Sequence, residues 1–134
     1  MSSFTKALIL RKGKGDRWYV EESFEYHVGS EESQDIITVP KGFETDLASV
    51  PFPATFFIPK DGSYNQAAVL HDWLYYSHII HARTRKQCDN IFLEAMAVLK
   101  VPAWKRFIMH RAVRLAGWKP WNNHMRKARV RVAD

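Results

Sequence analysis

A chain of 134 residues, 46% hydrophobic and 25% charged, has the size and composition of one ordinary globular domain, which excludes intrinsic disorder. A single cysteine, Cys88, rules out an intrachain disulfide and fits a reducing compartment. No apolar run approaches the roughly 18 residues that a spanning helix needs. The net charge of +6 is unevenly placed: residues 100–134 hold ten Lys/Arg against Asp134 alone, whereas residues 1–99 hold ten against thirteen acids. A mildly acidic body with a strongly basic end points to an anionic partner: nucleic acid, a phospholipid surface or an acidic protein. The plainer alternative is a solvated basic helix and tail.

In chain order, the first forty residues read as strands. Ala7 to Leu10 is an apolar run, and Lys12-Gly-Lys-Gly-Asp is a turn built on two glycines. Arg17 to Val20 returns from it. From Glu21 to Val28, Phe24, Tyr26 and Val28 alternate with polar residues, the pattern of a half-buried strand. A further β-branched strand runs from Asp35 to Val39 and stops at Pro40. The expected assembly is a small antiparallel meander over residues 1–39.

Residues 40–62 carry four prolines and two glycines, so neither a long helix nor an inner strand fits them. The same stretch holds Phe43, Leu47, Phe52, Phe56, Phe57 and Ile58, so an ordered loop packed on the body is expected. Three helices follow over residues 63–117: one from a Ser63 cap to about Tyr76, one from a Thr84 cap through Arg85 to Leu99, and one from Pro102 to about Ala116, closed by Gly117. Residues 118–134 are expected to be a basic tail or a short edge strand. The whole is an α+β chain of one domain.

The most site-like feature is His71-Asp72 on the first of these helices. A histidine on a core-facing stripe needs partners for its ring nitrogens. The second helix offers Asp89, eighteen residues on, at a spacing compatible with contact between antiparallel neighbours. Asp89 would then fix the His71 tautomer while the other ring nitrogen takes a proton from water, with Tyr75 donating to Asp89. Asp72 and Asp46 would be carboxylates able to hold a hard cation. A satisfied packing element is the competing reading of the same residues. Ser49 lacks the glycines of a nucleophile elbow, and His78 and His81 lack the spacing of a helical zinc pair. At the basic end Trp104, Lys105, Arg106, Arg111, Arg114, Trp118, Lys119 and Trp121 interleave cations with aromatics, and Arg126, Lys127, Arg129 and Arg131 extend the charge. That mixture suits nucleic-acid stacking, a membrane interface or a protein interface, or cations that merely cover apolar surface.

Three blocks in order, Gly42-Phe-Glu-Thr-Asp-Leu-Ala-Ser-Val-Pro, Ala67-Ala-Val-Leu-His-Asp-Trp-Leu-Tyr and Asp89-Asn-Ile-Phe-Leu-Glu-Ala-Met, resemble a family of small proteins of tailed bacteriophages and prophages that is a domain of unknown function. The resemblance implies synthesis in a host cytoplasm, a role in infection, lysis or particle assembly, incorporation in the virion as one outcome, and phage structural proteins as partners. It implies no activity. Over about thirty residues, His71-Asp-x-Leu-Tyr followed by Cys88-Asp89 is also similar to the helix pair of secreted phospholipases. That likeness implies His71 as general base, Asp72 as a calcium ligand, and Tyr75 and Asp89 as its supports. The glycine-rich calcium loop and the disulfides of that family are missing, with Ala67 and Ala68 where cysteines would stand. Asp46, Thr45 and Ser49 are the substitute metal loop. The function expected is a metal-assisted His/Asp hydrolase with calcium as the first cation. The alternatives are a non-catalytic virion or assembly component and a nucleic-acid-binding accessory protein.

Overall fold

The computed structural model describes residues 3–15, 17–45 and 64–123. Six short strands come first: β1 (Ser3–Phe4), β2 (Leu10–Lys12), β3 (Trp18–Val20), β4 (Phe24–His27), β5 (Ile36–Val39) and β6 (Glu44–Thr45). Four helices follow: α1 (Asn65–Tyr76), α2 (His78–His81), α3 (Arg85–Val98) and α4 (Ala103–Ala116). The α+β class expected from the sequence is the class observed.

The strands do not form one meander. They divide into two antiparallel three-stranded sheets, ordered β1-β4-β5 and β2-β3-β6. Pairing of Phe24 with Val39 and of Tyr26 with Ile37 puts all four of these buried side chains on one face, as the alternation requires. Pro40 ends β5, since it has no N–H to donate to a ladder. Gly42, at φ +90°, then turns the chain back onto β3, where its N–H meets the Val20 carbonyl at 2.8 Å. The expected loop 40–62 therefore opens with a strand, β6. Residues 46–63, including the Ser63 cap, lie outside the described residues.

α1 is buried around most of its circumference, from Gln66 to His71 and again at Leu74 and Tyr75. Ala67 and Ala68 are small enough to let its neighbours come close. Ser77 bonds its hydroxyl to the Trp73 carbonyl and α1 gives way to the single turn of α2, which the sequence reading did not separate. α2 stops at Ala82, in the left-handed region at φ +57°. Thr84 caps α3 through a complete capping box with Gln87, each side chain bonding the other residue's backbone N–H. Lys100, also left-handed, ends the turn before Pro102 and α4.

α3 lies between α1 and α4 and packs against both. The sheet β1-β4-β5 is tied to α3 by the Tyr26 hydroxyl, which donates to Glu94 at 2.6 Å. Phe24, Tyr26, Val39, Tyr64, Leu70, Leu74, Phe92, Met96, Met109 and Val113 share one core. Residues 118–123 continue as helix where a tail or edge strand was expected; residues 124–134 are outside the described residues. Among the described residues no helix is long and apolar enough to cross a membrane.

Candidate functional site: a buried carboxylate between three helices

One helical turn separates His71 from Tyr75 on α1, so both side chains leave the same face. Asp89 stands in the second turn of α3, opposite them. The structure brings the three together: His71 Nε2 lies 2.8 Å from Asp89 Oδ1, and the Tyr75 hydroxyl donates to the same oxygen at 2.5 Å. The other carboxylate oxygen, Oδ2, accepts from Arg114 Nη1 of α4 at 2.7 Å. Arg85 Nη1 stands 3.5 Å from Oδ2, at the limit of a bond. Asp89 has no exposed surface and His71 is 1% exposed, so this cluster is interior.

Burial alone would raise the Asp89 carboxyl, but hydrogen bonds from His71, Tyr75 and Arg114 outweigh it and hold the group below the ordinary carboxylate range. Burial, reinforced by the bond to Asp89, pushes the Tyr75 phenol far above its usual value, so it remains a donor. Cys88, beside Asp89, is pushed up to about 12 by burial and by the carboxylate's charge. A thiol so placed is not a nucleophile at neutral pH.

Arg85 spends its other bonds on the last turn of α4, donating to the carbonyls of Val113 at 2.9 Å and Arg114 at 3.2 Å. A cation there satisfies carbonyls that have no helical partner and meets the negative end of the helix dipole. Gly117 makes the approach possible. Its φ of −69° is ordinary, so the residue is not there for a left-handed cap. A Cβ at this position would collide with the Val113 carbonyl and the Tyr75 hydroxyl.

The His71 ring sits between Tyr75 and Phe92, at centroid distances of 4.2 and 4.6 Å. Its Nδ1 is buried and has no hydrogen-bond partner among the described residues. A buried polar atom left unsatisfied costs about 1–3 kcal/mol, so Nδ1 is the feature of this core that calls for an explanation.

Asp72, next to His71 in sequence, is half-buried and accepts from the Thr45 hydroxyl at 2.7 Å. The end of β6 thus reaches α1 where the sequence placed a loop ligand. Asp46 and Ser49 fall outside the described residues. Among the described residues no group of three or more His, Cys, Asp or Glu converges in a way that could hold a metal. His78 and His81 each face a backbone carbonyl, of Trp121 at 3.3 Å and of Leu74 at 2.8 Å.

Of the basic residues, Arg111 is exposed with its guanidinium 5.1 Å from the Phe107 ring, while Arg114 turns inward onto Asp89. Arg126, Lys127, Arg129 and Arg131 are outside the described residues. Sequence reasoning missed Arg85, Phe92, Arg114 and Gly117 as members of the site. Only Arg85 left a local signal, its i, i+4 spacing to Asp89. The other three arrive through packing.

A buried Asp–His–Tyr–Arg cluster held between three helices of an α+β chain is the class of site at hand. The model of a family of proteins of unknown function, DUF1353, matches residues 18–113, well over half of the sequence, and the chain belongs to that family. Neither the comparison with curated proteins nor that with solved structures found a match.

Replacing Asp89 by alanine leaves His71, Tyr75 and Arg114 without their shared acceptor. The expected loss is about 3–5 kcal/mol, measured by urea denaturation. A change within a few tenths of a kcal/mol would show that the cluster does not hold the helices together.

The histidines make stability depend on pH. Burial holds His78, His81 and His110 below the ordinary histidine value. For His81 burial is reinforced by the charge of Arg83, whose backbone N–H its Nδ1 accepts at 2.9 Å. The unfolded chain therefore binds more protons near pH ~6.5, and stability is full above that value and falls as pH drops below it. Thermal midpoints should be lower at pH 5.5 than at pH 7.5; equal midpoints would contradict the shifts.

Proposed function

We propose that this protein is a hydrolase in which His71 is the general base, and the observation that carries the reading is the buried Nδ1, unpartnered among the described residues, on a ring whose Nε2 is anchored to Asp89. With the proton on Nε2, Nδ1 offers its lone pair to a water molecule. The water oxygen attacks the ester carbonyl carbon as its proton passes to Nδ1, and Asp89 balances the imidazolium through the Nε2–H bond. Collapse of the tetrahedral intermediate breaks the bond to the leaving oxygen, which takes the proton back from Nδ1. The products are an acid and an alcohol. Tyr75 and Arg114 are positioning residues: they hold the carboxylate and touch no substrate.

Ester bonds of lipids are the first substrate class and phosphodiesters the second. Asp72, with Thr45 beside it, presents oxygen donors of the kind a hard cation takes, and Asp46 and Ser49 would have to complete the set. Calcium bound there would polarise the substrate oxygen. The likeness of the three sequence blocks to phage and prophage proteins supports a role in infection or lysis.

The depth of the cluster favours a second reading. His71 is 1% exposed and Arg114 already balances Asp89, which suits a non-catalytic virion or assembly component whose core these residues lock. The two readings part on substitution. Wild type, His71→Ala and His71→Gln should be assayed on a short-chain ester, on phospholipid vesicles and on an activated phosphodiester, with and without calcium, and their melting followed in parallel. The catalytic reading expects folded variants whose turnover falls by about 10²–10⁴. It is overturned if the wild type hydrolyses none of the three, or if either variant, folded, keeps the wild-type rate. Unfolding of both variants in a chain without turnover selects the structural reading.

A further inference from the structure

Met109, Val113 and Gly117 are the residues by which α4 and its extension are buried. In a solvated surface helix the opposite face would be polar. Here it is not. At about 100° per residue, Trp104, Phe107, Arg111, Leu115 and Trp118 fall within an arc of roughly 80° centred opposite the buried line. The hydrogen bond from the Trp121 N–H to the Gly117 carbonyl carries the helical path past α4, so Trp118 stays on that arc. Trp104, Phe107 and Trp118 are each more than half exposed, and Leu115 is 77% exposed.

The charge along this stretch of chain is of one sign, although Arg114 is turned inward onto Asp89. Residues 100–123 contain Lys100, Lys105, Arg106, Arg111, Arg114 and Lys119 and no acid. Two of these cations lie over the exposed rings, Lys105 Nζ 5.4 Å from Trp104 and the Arg111 guanidinium 5.1 Å from Phe107.

We infer that this face of α4 is a docking surface for an anionic phospholipid bilayer. Exposed Trp, Phe and Leu beside cations are what a helix lying in the headgroup region needs, with the apolar side chains entering the acyl boundary and the cations meeting phosphate. A second copy of the chain fits poorly, because a two-fold contact centred on this face would bring the two Arg111 side chains together at the axis, with no acid from residues 100–123 to offset them. Nucleic acid would use the rings and the cations, but it has no place for the exposed Leu115. The inference stands apart from the hydrolase reading: adsorption to a bilayer needs neither His71 nor turnover.

The test is co-sedimentation of the full chain with vesicles of phosphatidylcholine alone and of equimolar phosphatidylcholine and phosphatidylglycerol. Binding is expected to the anionic vesicles, weakening as salt rises. The double variant Phe107→Ser/Leu115→Ser changes only exposed side chains, so it should keep the wild-type circular dichroism and bind at least about tenfold more weakly. Arg111→Glu should weaken binding most at low salt. The inference is overturned if anionic vesicles do not bind, or if the folded double variant binds as wild type does. Duplex or single-stranded DNA bound in preference to vesicles overturns it in favour of a nucleic-acid surface. Loss of the patch's exposure to a concentration-dependent dimer in sedimentation overturns it in favour of self-association.

Discussion

A carboxylate without access to water must find its stabilisation inside the protein, and Asp89 imposes that requirement on the three longer helices. Its two oxygens accept from α1, through His71 and Tyr75, and from α4, through Arg114. None of these bonds is made within one helix. α1 and α4 must therefore sit at fixed depth and rotation against α3 before the charge is satisfied. A core of leucines would tolerate some sliding between helices; a buried carboxylate with directed donors does not. Burial of such an ion is costly, and apolar side chains of similar volume can match or exceed the stability it contributes. What Asp89 supplies instead is one arrangement of three helices and a histidine held at one nitrogen.

The details around the cluster follow from that arrangement. Gly117 is bare because Tyr75 and the end of α4 crowd the place where its side chain would go. Arg85, brought near the carboxylate from its own helix, closes the carbonyls at the end of α4. Arg85 and Arg114 together bring two positive charges to one negative one, so an imidazolium at His71 would raise the local positive charge further. For the proposed mechanism, which ring nitrogen of His71 carries the proton is the decisive property of the site. The cations on the far side of α4 belong to a different surface. Arg111 lies over the exposed Phe107 ring, away from the helix face that carries Met109 and Val113, and the Lys105 ammonium reaches the Trp104 ring.

Much of the fold was legible where the physics is local. The alternation around Phe24 and Tyr26 reports a strand with one buried face, and Thr84 reports a helix start, because each pattern acts within a few residues. The helical turn from His71 to Tyr75 is equally local. The two sheets were not legible: β1 reaches past two strands to pair with β4, and β6 returns across β5 to pair with β3. Periodicity says which residues are strands and not which strands meet. The same limit hid the site's third wall. Nothing in the run from Trp104 to Trp118 distinguishes Arg114, turned inward, from Arg111, turned outward, until the packing of α4 on α3 sets the rotation. Gly117 read as a helix terminator by residue type, whereas the structure needs it for clearance.

The proposed mechanism requires that His71 keep its proton on Nε2, toward Asp89, and leave Nδ1 as an acceptor. Nitrogen-15 NMR of the histidine rings at neutral pH tests it directly, because protonated and unprotonated ring nitrogens resonate far apart. The account expects one ring with a protonated Nε2 that loses its hydrogen-bond signature in Asp89→Asn, and an unprotonated Nδ1. A His71 ring with a proton on Nδ1, whether as the other tautomer or as an imidazolium, would contradict it, since no lone pair would then face the incoming water.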